Sequence, residues 1–356
     1  MAFVWCEGWV SAREQRNDTG KTRDKGGEAS TMSQRAQVII LDPAGRAASK
    51  TIRREDLQAL TAGQSEVGRT EHFVIYSDGS SEGDASARAI LARAEADYAA
   101  VRAWFGGLDL PPGDGSGGQD RAGLPIQVLI DQQAGGAYHF GCAATDIYVQ
   151  PDPTVATGLM VAELVEVFEA VQAKGWECGQ ANGEALSRAL AVDRTPALGS
   201  LQQQVGQDWW AHGRGDFVTV NDADDQNQDA NGCGPLFLAY LHSQLNFSWE
   251  QIVAAAGASL GATYQKLTGK SPTAGFSDFL SRLATVASGD ALRLPASGNP
   301  FPIGATTTPP SSTGPNGGGA GALGGSGGGL VTVGLVVLAV IGVVVVLFAT
   351  GILHFG

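Results

Sequence analysis

Histidine is scarce in this chain, with five among 356 residues, and cysteine is scarcer, with four. None of Cys6, Cys142, Cys178 and Cys233 forms a C-x-x-C pair, which excludes a structural zinc site of the usual spacing. Basic residues are outnumbered: 23 Lys and Arg against 36 Asp and Glu give a net charge of -13 and a pI of about 4.8. A chain of that charge repels phosphate backbones, so no nucleic-acid partner is expected. The first residues also read poorly as a secretory signal, so none is expected. Met1 to Val10 is apolar but short, is interrupted by Glu7, and lacks both a basic stretch before it and a small-residue cleavage site after it. Beyond Arg293 there is no Lys or Arg at all, so flanking charge gives no membrane orientation.

What is present divides the chain into four stretches. Residues 1–35 are polar and charged after the first ten and have little to bury, which predicts a disordered segment. Residues 36–293 carry the apolar periodicity of a globular domain, and a hydrophobic content of 43% is ample for its core. Residues 294–329 begin with Pro and Thr and end nearly all Gly, which predicts a flexible linker with a reach of roughly 30 Å. Leu330 to Leu353 is apolar throughout except for Thr332 and Thr350. At about 1.5 Å per residue such a run spans about 36 Å as a helix, enough to cross a bilayer. With no N-terminal signal, this predicts a single-pass C-terminal membrane anchor with the folded domain on the cytoplasmic side.

Within 36–293 the order is strand, helix, strands, then helices. Gln37–Asp42 is a short apolar run. Glu71–Ser77, Leu124–Asp131 and Thr145–Gln150 are rich in β-branched and aromatic residues and predict strands. Ala85–Phe105 predicts one long helix, with Ala87, Ile90, Leu91, Ala94, Tyr98 and Val101 on its buried side. Helices are also expected over 198–212, 234–245, 248–256, 260–267 and 275–287. The fold class expected is α+β: a small mixed or antiparallel sheet with long helices, then a helical subdomain.

The stretch Gly158 to Ala191 organises the rest. It predicts two helices, from about Thr157 to Lys174 and from an N-cap at Asn182, joined through a C-cap glycine at Gly175. Met160, Leu164, Val167, Phe168 and Val171 make an apolar stripe, with Glu163, Glu166 and Glu169 on the other side. Glu163, Glu166 and Glu184 converge if the helices meet there. As an ordinary amphipathic helix, the same glutamates make a solvated face, and Glu184 complements a helix dipole. Both readings stay open.

The pattern Ala162-Glu163-Leu164-Val165-Glu166, followed by Glu184, resembles the site of the gluzincin metallopeptidases, the thermolysin- and aminopeptidase-type zincins. Those carry H-E-x-x-H on one helix and a third glutamate ligand on the next. The resemblance implies Glu163 at the general-base position and Glu166 and Glu184 at metal-ligand positions. It also implies that Ala143–Gln150 is an edge strand pairing with extended substrate. Both histidines of the motif are replaced, one by alanine and one by glutamate, so the resemblance is to a degenerate member. E-x-x-E-V-F, G-W-x-C-G and N-G-E-x-L-S-R together also resemble an uncharacterised bacterial family.

Zinc peptidase sites use imidazole nitrogens with one carboxylate, whereas carboxylates alone suit hard cations. The sequence specifies no cofactor; the carboxylates suit a hard divalent cation (Ca, Mg or Mn), and zinc is not expected. Without a metal, clustered carboxylates repel one another and at least one pKa rises; Arg188, a helical turn past Glu184, is the available partner. His139, His212 and His242 read as surface or core histidines. The acidic loop 216–231, with Asp222, Asp224, Asp225 and Asp229, offers oxygen ligands for calcium but fails the EF-hand pattern, because its closing position is Leu238. Cys178 and Cys233 lie in Cys-Gly contexts beside the candidate site; an oxidising compartment would pair them and a reducing one would leave buried thiols.

Two functions fit: a membrane-anchored, peptidase-like pseudoenzyme that binds a peptide or protein partner as a scaffold, or an active hydrolase with a non-standard carboxylate-rich metal site. The anchor is tested first. Deleting residues 330–356 is expected to move the chain from the membrane fraction to the soluble fraction, and a truncated chain that still sediments with membranes rules out a single C-terminal anchor.

Overall fold

The structure is a computed structural model that describes residues 63–113, 122–132, 136–223, 227–289 and 291–292, together with the backbone of two strands at 35–41 and 47–53. The expected linker at 294–329 and membrane segment at 330–353 lie outside the described residues, as does the expected N-terminal disordered segment apart from Arg35. Among the described residues, no helix is long and apolar enough to cross a membrane.

The apolar run near residue 37 forms strand β1 (Arg35–Leu41), paired antiparallel with β2 (Ala47–Arg53) in a separate two-stranded sheet. The main sheet has five strands: β3 (Ser65–Arg69), β4 (Phe73–Ser77), β5 (Ile126–Ile130), β6 (Ala137–Tyr138) and β7 (Asp146–Val149), in the order β3-β4-β5-β7-β6. It is mixed. The β4–β5 and β5–β7 pairs are parallel, and the two outer strands pair antiparallel. Parallel strands buried on both faces read as unbroken apolar runs. That is why Phe73-Val74-Ile75 and Ile147-Tyr148-Val149 are wholly buried. The expected edge at 143–150 is instead internal: Val149 and Tyr148 pair with Ala137 and Tyr138 of β6, which shields that side of β7.

Parallel neighbours need a crossover. Between β4 and β5 it is made by α1 (Ser81–Leu91) and α2 (Ala94–Trp104), not by the single long helix expected. The break falls at Ala92 and Arg93, where Arg93 leaves helical geometry (φ -122°) and its guanidinium reaches Asp97 Oδ1 at 3.1 Å and the Arg194 carbonyl at 2.8 Å. Ser80 caps α1 by accepting from Gly83 N, with Glu82 and Asp84 in the first turn.

Helix α3 (Ala156–Gln172) is the centre of the molecule: every residue from Ala156 to Glu169 is buried. One side faces the sheet and helices α1 and α2, and the other faces α4 (Ala181–Arg194). Phe168 packs edge-on against Tyr98 at a centroid distance of 5.6 Å and lies 5.4 Å from Phe105. The rest of the domain is helical: α5 (Gly199–Ala211), α6 (Gln228–Ser243), α7 (Trp249–Ala254), α8 (Leu260–Thr268) and α9 (Pro272–Ala284), then a two-residue hairpin of β8 (Ala287–Ser288) and β9 (Ala291–Leu292). Trp209 stacks on Phe279 inside this bundle, and one continuous hydrophobic cluster joins it to the sheet. Ser248, Ser259 and Ser271 cap α7, α8 and α9 in turn.

The end of α3 departs from expectation. Its C-cap is Ala173, left-handed at φ 50°, two residues before Gly175. A β-carbon costs roughly 1–2 kcal/mol in that region. Ala173 is exposed, so Ala173→Gly loses no packing. It is expected to raise stability by about 0.5–1 kcal/mol, after allowing for the added freedom of the unfolded chain; a urea midpoint that falls would contradict this.

Candidate functional site

The three glutamates of α3 are not a solvated face. Glu163, Glu166 and Glu169 are 1%, 2% and 0% exposed, and Glu184 on α4 is 1% exposed. The amphipathic reading fails because α3 has no outer side: the sheet, α1, α2 and α4 enclose it. Buried carboxylates require a cation, a proton or hydrogen bonds, and each glutamate meets that need differently.

Glu184 is paired along its own helix. Arg188 Nη2 lies 3.5 Å from its Oε2, and that arginine is itself only 6% exposed. The third-ligand position of the resemblance thus carries an ion pair. Glu169 is met by a proton. Burial, and after it the charge of Glu166, holds its carboxyl well above the ordinary value near 4.5. Neither oxygen of Glu169 has a hydrogen-bond partner among the described residues. The first turn of α4 lies close against it; a β-carbon at Gly183 would stand 2.6 Å from Glu169 Oε2, so only glycine allows this approach.

Glu163 and Glu166 meet a histidine, His139, which is drawn into the site and is not only a core residue. His139 follows β6 and is 1% exposed. Its Nε2 lies 3.2 Å from Glu166 Oε2 and 3.8 Å from Glu163 Oε2, while Nδ1 lies 3.1 Å from the Ala144 carbonyl oxygen. A carbonyl only accepts, so Nδ1 carries a proton toward Ala144 and Nε2 faces the glutamates. One signal for His139 was available: it lies four residues before the start of the strand, Ala143–Gln150, that the gluzincin resemblance places beside the site. Ala162, at the first histidine position, is packed into the core at 2% exposure and contributes only its methyl group.

The cysteine expectation is corrected. Cys178 is bonded to Cys142, with the Cα atoms 5.7 Å apart, and Cys233 is a free, fully buried thiol in α6. Burial pushes the Cys233 pKa far upward, which keeps it a neutral, unreactive core group. Cys142 comes from the β6–β7 loop and Cys178 from the connection between α3 and α4, so the bridge ties those two segments together over the glutamates. Both cysteines are half-buried, whereas the groups beneath are not exposed. Cys178 Sγ lies 3.8 Å from His139 Nε2. The donor atoms of His139, Glu166 and Cys178 fall within 4.8 Å of one another, a grouping fit for a metal ion.

The acidic loop does other work. Asp224 and Asp225 lie outside the described residues. Asp222 accepts from Asn227 Nδ2 at 2.6 Å, and its carbonyl accepts from Ala181 N. Asp229 Oδ1 faces His212 Nδ1 at 3.0 Å. Asn227 caps α6, and Asn221 bonds Gln180 and Asn182, so the loop fastens the start of α4. Asn182 is not the N-cap itself. It sits inside the first turn of α4, after the cap at Gln180, and donates to the Gly175 and Gly257 carbonyls.

Glu169 gives a pH test. Its pKa is raised on folding, so the folded chain binds the extra proton between the unfolded value near 4.5 and the folded value. Its contribution to stability is therefore complete below about 4.5 and is lost as pH rises through that window. Glu169→Gln matches the protonated shape and is expected to flatten this fall and to be more stable than wild type at high pH; an unchanged pH–stability slope in urea titrations would refute a protonated Glu169.

No protein-family model and no curated protein matches this chain.

Proposed function

We propose that the folded part of this chain is a degenerate gluzincin-like domain that has kept the two-helix frame of the site and lost hydrolysis. It works as a binding or scaffold module for a peptide or protein partner, held at a membrane by the 330–353 segment. The observation that carries this reading is enclosure: Glu163, Glu166 and Glu184 are at most 2% exposed and lie under a disulfide-tied connection. A peptidase must bring a peptide bond within reach of its metal and base. Support also comes from the order of elements, with β4, a helical crossover, β5 and β7 before the glutamate helix, and from Ala162, whose buried methyl group offers no ligand. Any ion held by the carboxylates alone would be hard, such as Ca, Mg or Mn.

One observation favours the second reading, an active hydrolase with a carboxylate-rich metal site. His139 adds an imidazole to Glu163 and Glu166, so the centre is not carboxylate alone. The assay is hydrolysis of a casein-type substrate by the intact chain, with and without a chelator. No cleavage above background is expected in either case. Cleavage that a chelator abolishes, and that Glu163→Gln lowers by the roughly 10²–10⁴-fold typical of a lost general base, would establish the hydrolase instead.

A further inference from the structure

The sulfur of Cys178 stands in two roles that exclude each other. It is bonded to Cys142, and it completes a nitrogen–oxygen–sulfur donor set with His139 and Glu166. A disulfide sulfur is a poor ligand and a thiolate a strong one. We propose that His139 Nε2, Glu166 Oε2 and Cys178 Sγ form a site for a borderline divalent cation of the zinc type, open only when the Cys142–Cys178 bond is reduced.

The geometry is that of a site needing little rearrangement. Ligands at zinc distances of about 2.0–2.3 Å in a tetrahedron stand about 3.3–3.6 Å apart. The His139 nitrogen is 3.2 Å from the glutamate oxygen and 3.8 Å from the cysteine sulfur. The imidazole is already held as a metal-binding histidine is, with Nδ1 against the Ala144 carbonyl and Nε2 toward the other donors. That orientation sets the Nε2 lone pair against a carboxylate oxygen. Two lone-pair carriers at that separation need a proton or a cation between them. Glu166 Oε1 has no hydrogen-bond partner among the described residues, in a side chain 3% exposed. Helix α3 has no histidine, but His139 supplies the nitrogen from the segment after β6, and a thiolate supplies the soft donor. Three protein ligands leave a fourth position, with Glu163 Oε2 alongside at 3.8 Å from the same nitrogen.

The redox step balances with a dithiol reductant. The Sγ–Sγ bond breaks, the dithiol gives two electrons and two protons and becomes a disulfide, and Cys142 and Cys178 become thiols. Cation binding then releases the Cys178 proton to solvent. The half-buried position of the bridge, above groups that are not exposed, puts the bond where a reductant reaches it before anything reaches the glutamates. The proposal rests on the enclosed cluster described above and adds to it a ligand class and a control.

The test uses the intact chain and zinc alone as the probe, with bound metal measured after equilibrium dialysis. Cys142→Ser and Cys178→Ser both lack the disulfide, so they share its stability cost and differ in which thiol remains, Cys178 in the first and Cys142 in the second. Cys142→Ser is expected to hold about one zinc per chain without reductant, and the wild type to do so only after reduction. Cys178→Ser is expected to bind more weakly by over the roughly 10–100-fold that loss of an outer partner costs. Cobalt substitution in Cys142→Ser should give a thiolate charge-transfer band that Cys178→Ser lacks. Equal binding by the two variants, binding by the oxidised wild type, or none by reduced wild type with native near-ultraviolet dichroism, each overturns the proposal. Those outcomes leave the non-hydrolytic reading standing, because that reading falls only if the chain cleaves substrate.

Discussion

Carboxylates on a helix enclosed on every side are the constraint that the rest of the fold answers. Each one left charged and alone would cost several kcal/mol. The chain spreads that cost over different devices rather than a single counter-ion: an arginine one turn along α4, a histidine from the sheet, and a retained proton on Glu169. The histidine ties α3 to the segment after β6, whereas the Glu184–Arg188 pair lies within α4 and the oxygens of Glu169 have no hydrogen-bond partner among the described residues. Gly183 belongs to the same answer, since it lets the start of α4 close over Glu169.

A second buried charge fixes the frame around that centre. Asp97, fully buried on α2, meets Arg194 at the end of α4 through Nε at 2.9 Å and Nη2 at 2.7 Å, and Arg93 at 3.1 Å. The same Arg93 bonds the Arg194 carbonyl. The crossover helices are thereby registered against α4, and α3 lies between them. At the opposite end of α4, Asn182 bridges two carbonyls and Trp176 donates to the Val253 carbonyl. The connection that carries Cys178 is thus tied into the helical bundle as well as to the sheet.

Local pattern carried most of the architecture. Three runs of β-branched and aromatic residues became β4, β5 and β7 within two residues of their expected ends, and Ser248 caps the helix expected over 248–256. What local pattern could not carry was order in the sheet: whether β7 is an edge depends on the two-residue β6, too short to leave a periodic signal. The solvated-face alternative arose the same way, because a helical wheel separates polar from apolar faces and cannot tell that a second helix and a sheet cover both. His139 and the Cys142–Cys178 bond are long-range pairings, 27 residues from Glu166 in one case and 36 between the cysteines in the other. Spacing along a chain says nothing about such meetings. The glutamates themselves, and Arg188 as a partner for Glu184, were legible because they lie on two helices joined by a short connection.

The two borders of the main sheet are both poor templates. On one side, β6 offers two residues. On the other, β3 has its register shifted by a bulge between Glu66 and Gly68, and carries the Glu66–Arg69 pair at its surface. Short, bulged and charged margins are how natural sheets avoid recruiting a foreign strand. A polypeptide that docks on this domain therefore gains little by main-chain pairing, the usual way a zincin-type groove grips an extended substrate. The same margins keep the main sheet from pairing edge to edge with its own copies.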